Sequence, residues 1–155
     1  MIRLVVAGLA LTAVTVVLHG VLIAVAARSV RRRWFTPADR LGSFRSELLV
    51  ARLVSTLLLL HLTDAMVWAI FFLLIGALPD VKTAAYFSLT SYTTVGYGDV
   101  LLPEPWRLLG PLEAAVGVLM LGWSTGILVA VIGMIDGRPL PSLTAGDGAP
   151  TERAT

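Results

Sequence analysis

The chain has 155 residues, 57% of them hydrophobic and only 14% charged, against roughly 25% charged in a soluble globular domain, a balance that argues against a water-soluble fold and points to a membrane. Twelve Lys and Arg against ten Asp and Glu leave a net charge of +2, too slight to argue for nucleic acid as a partner. The absence of cysteine excludes a disulfide, a thiolate metal site and a cysteine nucleophile, and leaves the redox compartment open.

The first apolar run, Leu4 to Ala27, carries no formal charge and exceeds the roughly 20 residues that span a bilayer as a helix. Arg3 ahead of it and Ala24-Val25-Ala26 at its end resemble a secretory signal, but the apolar region of such a signal runs only about 7 to 15 residues. Cleavage would also export a strongly basic new terminus, against the positive-inside rule, so the run reads as a retained helix. It lacks the regularly spaced arginines of a voltage sensor. His19 is expected to be a packed polar residue near its cytoplasmic half.

The loop from Arg28 to Glu47 holds Arg28, Arg31, Arg32, Arg33, Arg40 and Arg45 against Asp39 and Glu47, and such a loop stays in the cytoplasm. Trp34 and Phe35 suit the interface. The arginines of this loop read first as a topology signal and nothing more, with contact between membrane lipids, anionic headgroups among them, and Arg28, Arg31, Arg32 and Arg33 as the alternative. With three spans, the N-terminus is expected outside and the C-terminus in the cytoplasm of a multi-pass protein of the cell (plasma) membrane.

The second run, Leu53 to Leu78, contains one formal charge, Asp64, with His61 one turn before it. A carboxylate inside a membrane is costly and tends to find a partner within the bundle. Ser88, Thr90 and Ser91 are candidates, as is the first helix. His61 and Asp64 make two metal ligands with no third in view, too few for a metal site.

Next comes Pro79 to Arg107, too short for a domain. Within it Val81 to Thr93 reads as a short helix of roughly 16 Å, enough to enter a membrane halfway but not to cross it. Thr93 to Asp99, TTVGYGD, cannot continue that helix. Gly96 and Gly98 alternate with Val95 and Tyr97 and permit backbone angles closed to other residues, so that successive carbonyls can face one way. Unpaired carbonyls at membrane depth are tolerated only when buried in protein or lining a wet pathway. A passing cation would satisfy them.

Thr94-Val95-Gly96-Tyr97-Gly98, preceded by a short helix and followed by Asp99, resembles the selectivity filter of the potassium channel superfamily. The resemblance covers Leu53 to Ile135 and implies that the carbonyls of Thr94, Val95, Gly96 and Tyr97, with the Thr94 hydroxyl at the inner end, bind potassium. It implies that Tyr86 and Phe87 cuff the filter with Tyr97 packed among them, that Thr93 supports it, and that Asp99 concentrates cations at the outer mouth. A closed ring needs four such loops and the chain supplies one, so a homotetramer is required. Thr90 stands where some members of the superfamily carry a buried carboxylate.

The third run, Leu108 to Ile135, contains only Glu113 as a charge, expected to support the filter from behind or to pair with Lys82 or Arg107. By the same resemblance Gly122, or else Gly117 or Gly126, is the candidate gating hinge; Gly122 and Gly126, four apart, equally suit close helix packing. Gly122-Trp123-Ser124-Thr125-Gly126 fits the G-x-S-x-G of a serine hydrolase, but the serine lies mid-helix and no histidine follows it. The tail, Asp136 to Thr155, has the composition of a disordered segment.

The expectation is therefore an all-α integral membrane protein with three transmembrane helices, a re-entrant pore helix and a filter loop. Residues 1–47 form an additional helix and basic loop, 48–135 a pore domain, and 136–155 a cytoplasmic tail. Its function would be passive, potassium-selective conduction with no enzymatic step and no cofactor beyond the permeant ion. A poorly selective cation channel and a non-conducting assembly subunit are the alternatives.

Overall fold

A computed structural model describes residues 1–34 and 43–135. Four helices account for most of them: α1 (Ile2–Trp34), α2 (Ser43–Leu74), α3 (Val81–Tyr92) and α4 (Leu109–Ile135). Among the described residues there is no strand. The segments Ile2–Arg28, Ser46–Leu74 and Leu109–Met134 are each long and apolar enough to cross a membrane. α3 has 12 residues, about 18 Å of helix, and falls well short of a bilayer core of about 30 Å. The all-α membrane architecture expected from the hydrophobic runs is the one observed. The side chains of Arg31, Arg32 and Arg33, the loop 35–42 and the tail 136–155 lie outside the described residues.

Two boundaries of the second helix differ from expectation. α2 begins at Ser43 instead of Leu53, because Arg45, Glu47 and Arg52 interrupt an apolar run without interrupting a helix. It ends at Leu74 instead of Leu78 through a left-handed glycine cap. Gly76 has φ +68°, its N–H donates to the Leu73 carbonyl at 3.0 Å, and the Ala77 N–H donates to that of Phe72 at 2.9 Å. These two bonds satisfy carbonyls that the helix end would leave orphaned.

Lipid is as apolar as leucine, so helices in a membrane associate through close packing and polar bonds. α1 shows both on one face. Gly8, Leu11, Thr15 and His19 recur every three or four residues and are all buried, while Leu9, Val17 and Val21 on other faces are exposed. At Gly8 the absent side chain makes room for α4, since a Cβ there would come within 2.6 Å of Leu112 Cδ2. At Thr15 the hydroxyl accepts a bond from the Trp68 indole N–H of α2 at 3.0 Å.

The core lies around Trp68 and Phe72 of α2. Phe87 of α3 meets Phe72 edge-on, with centroids 5.5 Å apart and planes at 81°, a favoured aromatic geometry. α1 packs on α2 and α4, and α3 packs on the same two helices, but α1 and α3 share no backbone interface. What joins them is a set of polar side chains in between.

Candidate functional site

α3 is started by Asp80, whose carboxylate accepts from the Thr83 N–H at 2.9 Å and the Thr83 hydroxyl at 2.8 Å. Those bonds, the backbone one first, hold the Asp80 carboxyl below the usual aspartate range. The far end of α3 is fixed against α4 at Gly117, where a Cβ would overlap the carbonyl oxygen of Tyr92 and lie 2.9 Å from its carbonyl carbon. Only glycine allows that approach. Thr93 caps the helix, its hydroxyl donating to the Leu89 carbonyl at 2.6 Å.

Beyond the cap the chain leaves the helix in a tight turn. The Thr94 N–H donates to the Ser91 carbonyl at 2.9 Å, and the Gly96 N–H to that of Thr90 at 3.0 Å. Three alternate residues then take positive φ: Thr94 at 64°, Gly96 at 49° and Gly98 at 76°. The two glycines were legible as sites of this conformation. Thr94 was not, since a β-branched residue pays roughly 1–3 kcal/mol there and its sequence carries no sign of it.

Residues 93–99 are all exposed in the single chain. Tyr97 is 72% exposed and Val95 52%, so the aromatic cuff implied for Tyr97 is not closed within one chain. Phe87 turns inward to Phe72, and Tyr86 instead donates its hydroxyl to Asp99 Oδ2 at 2.8 Å, holding that carboxylate beside the loop. A groove of about 330 Å³ runs between the loop, α3 and the start of α4, with Phe87, Thr94, Gly96 and Pro111 among its walls.

Behind the loop sits a buried polar node. Asp64 Oδ2 lies 2.6 Å from His19 Nδ1 and accepts the Tyr92 hydroxyl at 3.1 Å. His19 Nε2 is 3.1 Å from Ser124 Oγ, and His61 Nδ1 is 3.0 Å from the Tyr92 hydroxyl. Each of the four helices thus contributes, and Tyr92 stands two residues before Thr94. Of the partners considered for Asp64, the first helix is the one found; Ser88, Thr90 and Ser91 are not. Thr90 bonds back to carbonyls of its own helix. His19 is packed as expected, but as the link between Asp64 and Ser124.

Glu113 does not pair with Lys82 or Arg107. It faces inward with no exposure, close to Ser88 but without a hydrogen bond to either carboxylate oxygen, whereas Arg107 is drawn to the exposed Glu104 at 3.7 Å. The Ser88 beside Glu113 lies on α3.

Ser124, His19 and Asp64 have the connectivity of a serine-hydrolase triad, assembled from α4, α1 and α2. The surroundings deny it that chemistry. Ser124 is 3% exposed, and the N–H groups beside it lie inside a continuous helix, which leaves no donors free for an oxyanion.

Of the candidate hinges, Gly117 is occupied by its contact with Tyr92. Gly122 and Gly126 would meet nothing within 4 Å if they carried a Cβ, so neither serves packing inside one chain. The helix runs unbroken through both.

Residues 56–133, from within α2 to near the end of α4, match a family model described as ion channel. The chain belongs to the ion channel family. That family is of the two-transmembrane potassium-channel type, and the match takes in the loop and the α2, α3 and α4 members of the node while α1 lies outside it. No curated protein and no solved structure matches the chain. The channel is a membrane protein with a transport function and no enzymatic one.

Proposed function

We propose that the channel conducts potassium selectively and passively through a pore formed by four identical chains. The observation that carries this reading is the loop Thr94 to Gly98. Its sequence is TVGYG, and φ is positive at alternate residues, the kind of backbone that can turn successive carbonyls to one side. Such oxygens replace the hydration shell of a potassium ion. Potassium would bind at Thr94, Val95, Gly96 and Tyr97, with Asp99 at the mouth.

The exposure of residues 93–99 in a single chain supports assembly. Irregular backbone facing lipid is not tolerated, and a four-fold ring of copies would bury it around the ion path. Exposed Tyr97 and Val95 would then find their partners across the chain boundary. The arginine-rich C-terminal end of α1 supports a cytoplasmic position for that end, with the N-terminus outside the plasma membrane and the C-terminus inside, and Arg28 to Arg33 close to anionic headgroups.

A poorly selective cation channel would share this architecture. Purified protein in liposomes separates the readings. Potassium flux without sodium flux supports the proposal, equal fluxes support the poorly selective reading, and no flux of either ion supports a non-conducting assembly subunit.

A further inference from the structure

His19 from α1 and His61 and Asp64 from α2 each offer one ligand atom, and the three atoms lie within 4.8 Å of one another. The sequence offered only two of these as neighbours; the third comes from a residue 45 positions away. Asp64 Oδ1 is buried with no hydrogen-bond partner, although its residue has no exposure at all. An orphaned carboxylate oxygen of this kind calls for a further group at the site.

We propose that His19, His61 and Asp64 form a binding site for a divalent transition-metal ion of the zinc class, set in the core of the channel behind the Thr94–Gly98 loop. Two imidazoles and one carboxylate suit zinc and disfavour magnesium or calcium, which take oxygen ligands. Around zinc, bonds of about 2.0–2.2 Å place neighbouring tetrahedral ligands roughly 3.3–3.5 Å apart. A separation as wide as 4.8 Å must therefore shrink by about 1.3–1.5 Å, and His61, only half-buried, is the ligand with room to turn inward.

His19 is already supported as a ligand would be. A metal-bound imidazole is oriented by a partner on its other nitrogen, and Nε2 has Ser124. When Nδ1 takes the metal in place of its bond to Asp64, the neutral ring gives up the Nδ1 proton and carries one on Nε2. The Ser124 hydroxyl then turns from donor to acceptor. No net proton is lost. The Tyr92 hydroxyl is bonded to both Asp64 and His61 and so ties two of the three ligands together.

The test is metal uptake by tag-free, full-length protein in lipid nanodiscs. Zinc chloride is followed by calorimetry and cobalt chloride by visible absorption. One zinc per chain is expected, together with the ligand-field bands of four-coordinate cobalt. His61→Gln, at the half-buried position, is expected to weaken zinc binding at least about tenfold with helicity unchanged. Wild-type protein that binds less than half an equivalent of zinc overturns the proposal, and so does a folded His61→Gln protein of unaltered affinity. Uptake is read without ion flux, so its failure is distinct from a failure of the conduction reading.

Discussion

Gly117→Ala is the substitution whose effect follows most directly from the packing. The new Cβ would overlap the Tyr92 carbonyl oxygen and sit 2.9 Å from the carbonyl carbon and 3.2 Å from the Cα. All three are backbone atoms, so no side chain can swing aside. Tyr92 is itself anchored, 1% exposed and bonded to Asp64. Overpacking a core costs about 1–3 kcal/mol, and a contact against fixed backbone belongs at the upper end. Replacing a helical glycine with alanine returns about 1 kcal/mol. The expected net loss is about 2 kcal/mol, accompanied by displacement of the loop that begins two residues after Tyr92. Gly122→Ala is the control, because nothing lies within 4 Å of its Cβ position in the chain. Thermal unfolding followed by tryptophan fluorescence, alongside potassium flux from liposomes, measures both consequences. A Gly117→Ala protein as stable and as conductive as wild type would refute the packing argument.

Asp64→Asn is expected to cost about 1–3 kcal/mol of assembly stability, the range for a hydrogen bond to a charged group, while potassium preference is retained; loss of preference with unchanged assembly would place Asp64 in permeation instead. Gly96→Ala, at φ +49°, is expected to abolish flux while leaving membrane insertion intact, and residual wild-type flux would show that the left-handed conformation is dispensable. The Asp80 cap should weaken in acid. Its carboxyl is held below the usual range by Thr83, so its contribution is fully present above about pH 4 and is lost as pH falls through the lowered folded value. Hydrogen-exchange protection of the Thr83 amide is expected to fall over that window, and to be independent of pH in Asp80→Asn.

The features legible in the sequence are those that are local. Long apolar runs with at most one formal charge each marked the three spans, because a bilayer imposes its thickness on any helix that crosses it. The loop was legible because TVGYG concentrates its conformational demand into two glycines within five residues. The cap at Gly76 was visible as a glycine but lay inside an apolar run, so hydropathy alone carried the second helix four residues too far. The polar node was not legible. His19 and Ser124 are 105 residues apart, and only the packing of α1 against both α2 and α4 brings them together. Gly8, Leu11, Thr15 and His19 fall at helical intervals, but of these only His19 stood out in the sequence, and the buried face they form appears only in the fold. Nothing in that spacing said which helix the face would meet. Gly117 shows the same limit, since its need for glycine comes from a carbonyl on another helix and not from its own backbone angles.

The central claim is tested most directly by ion flux through purified protein in liposomes of defined lipid. A potassium gradient should run down once a protonophore supplies the counter-current, and an equal sodium gradient should persist under the same conditions. Sodium and potassium gradients that collapse at the same rate would contradict selective conduction through the Thr94–Gly98 loop.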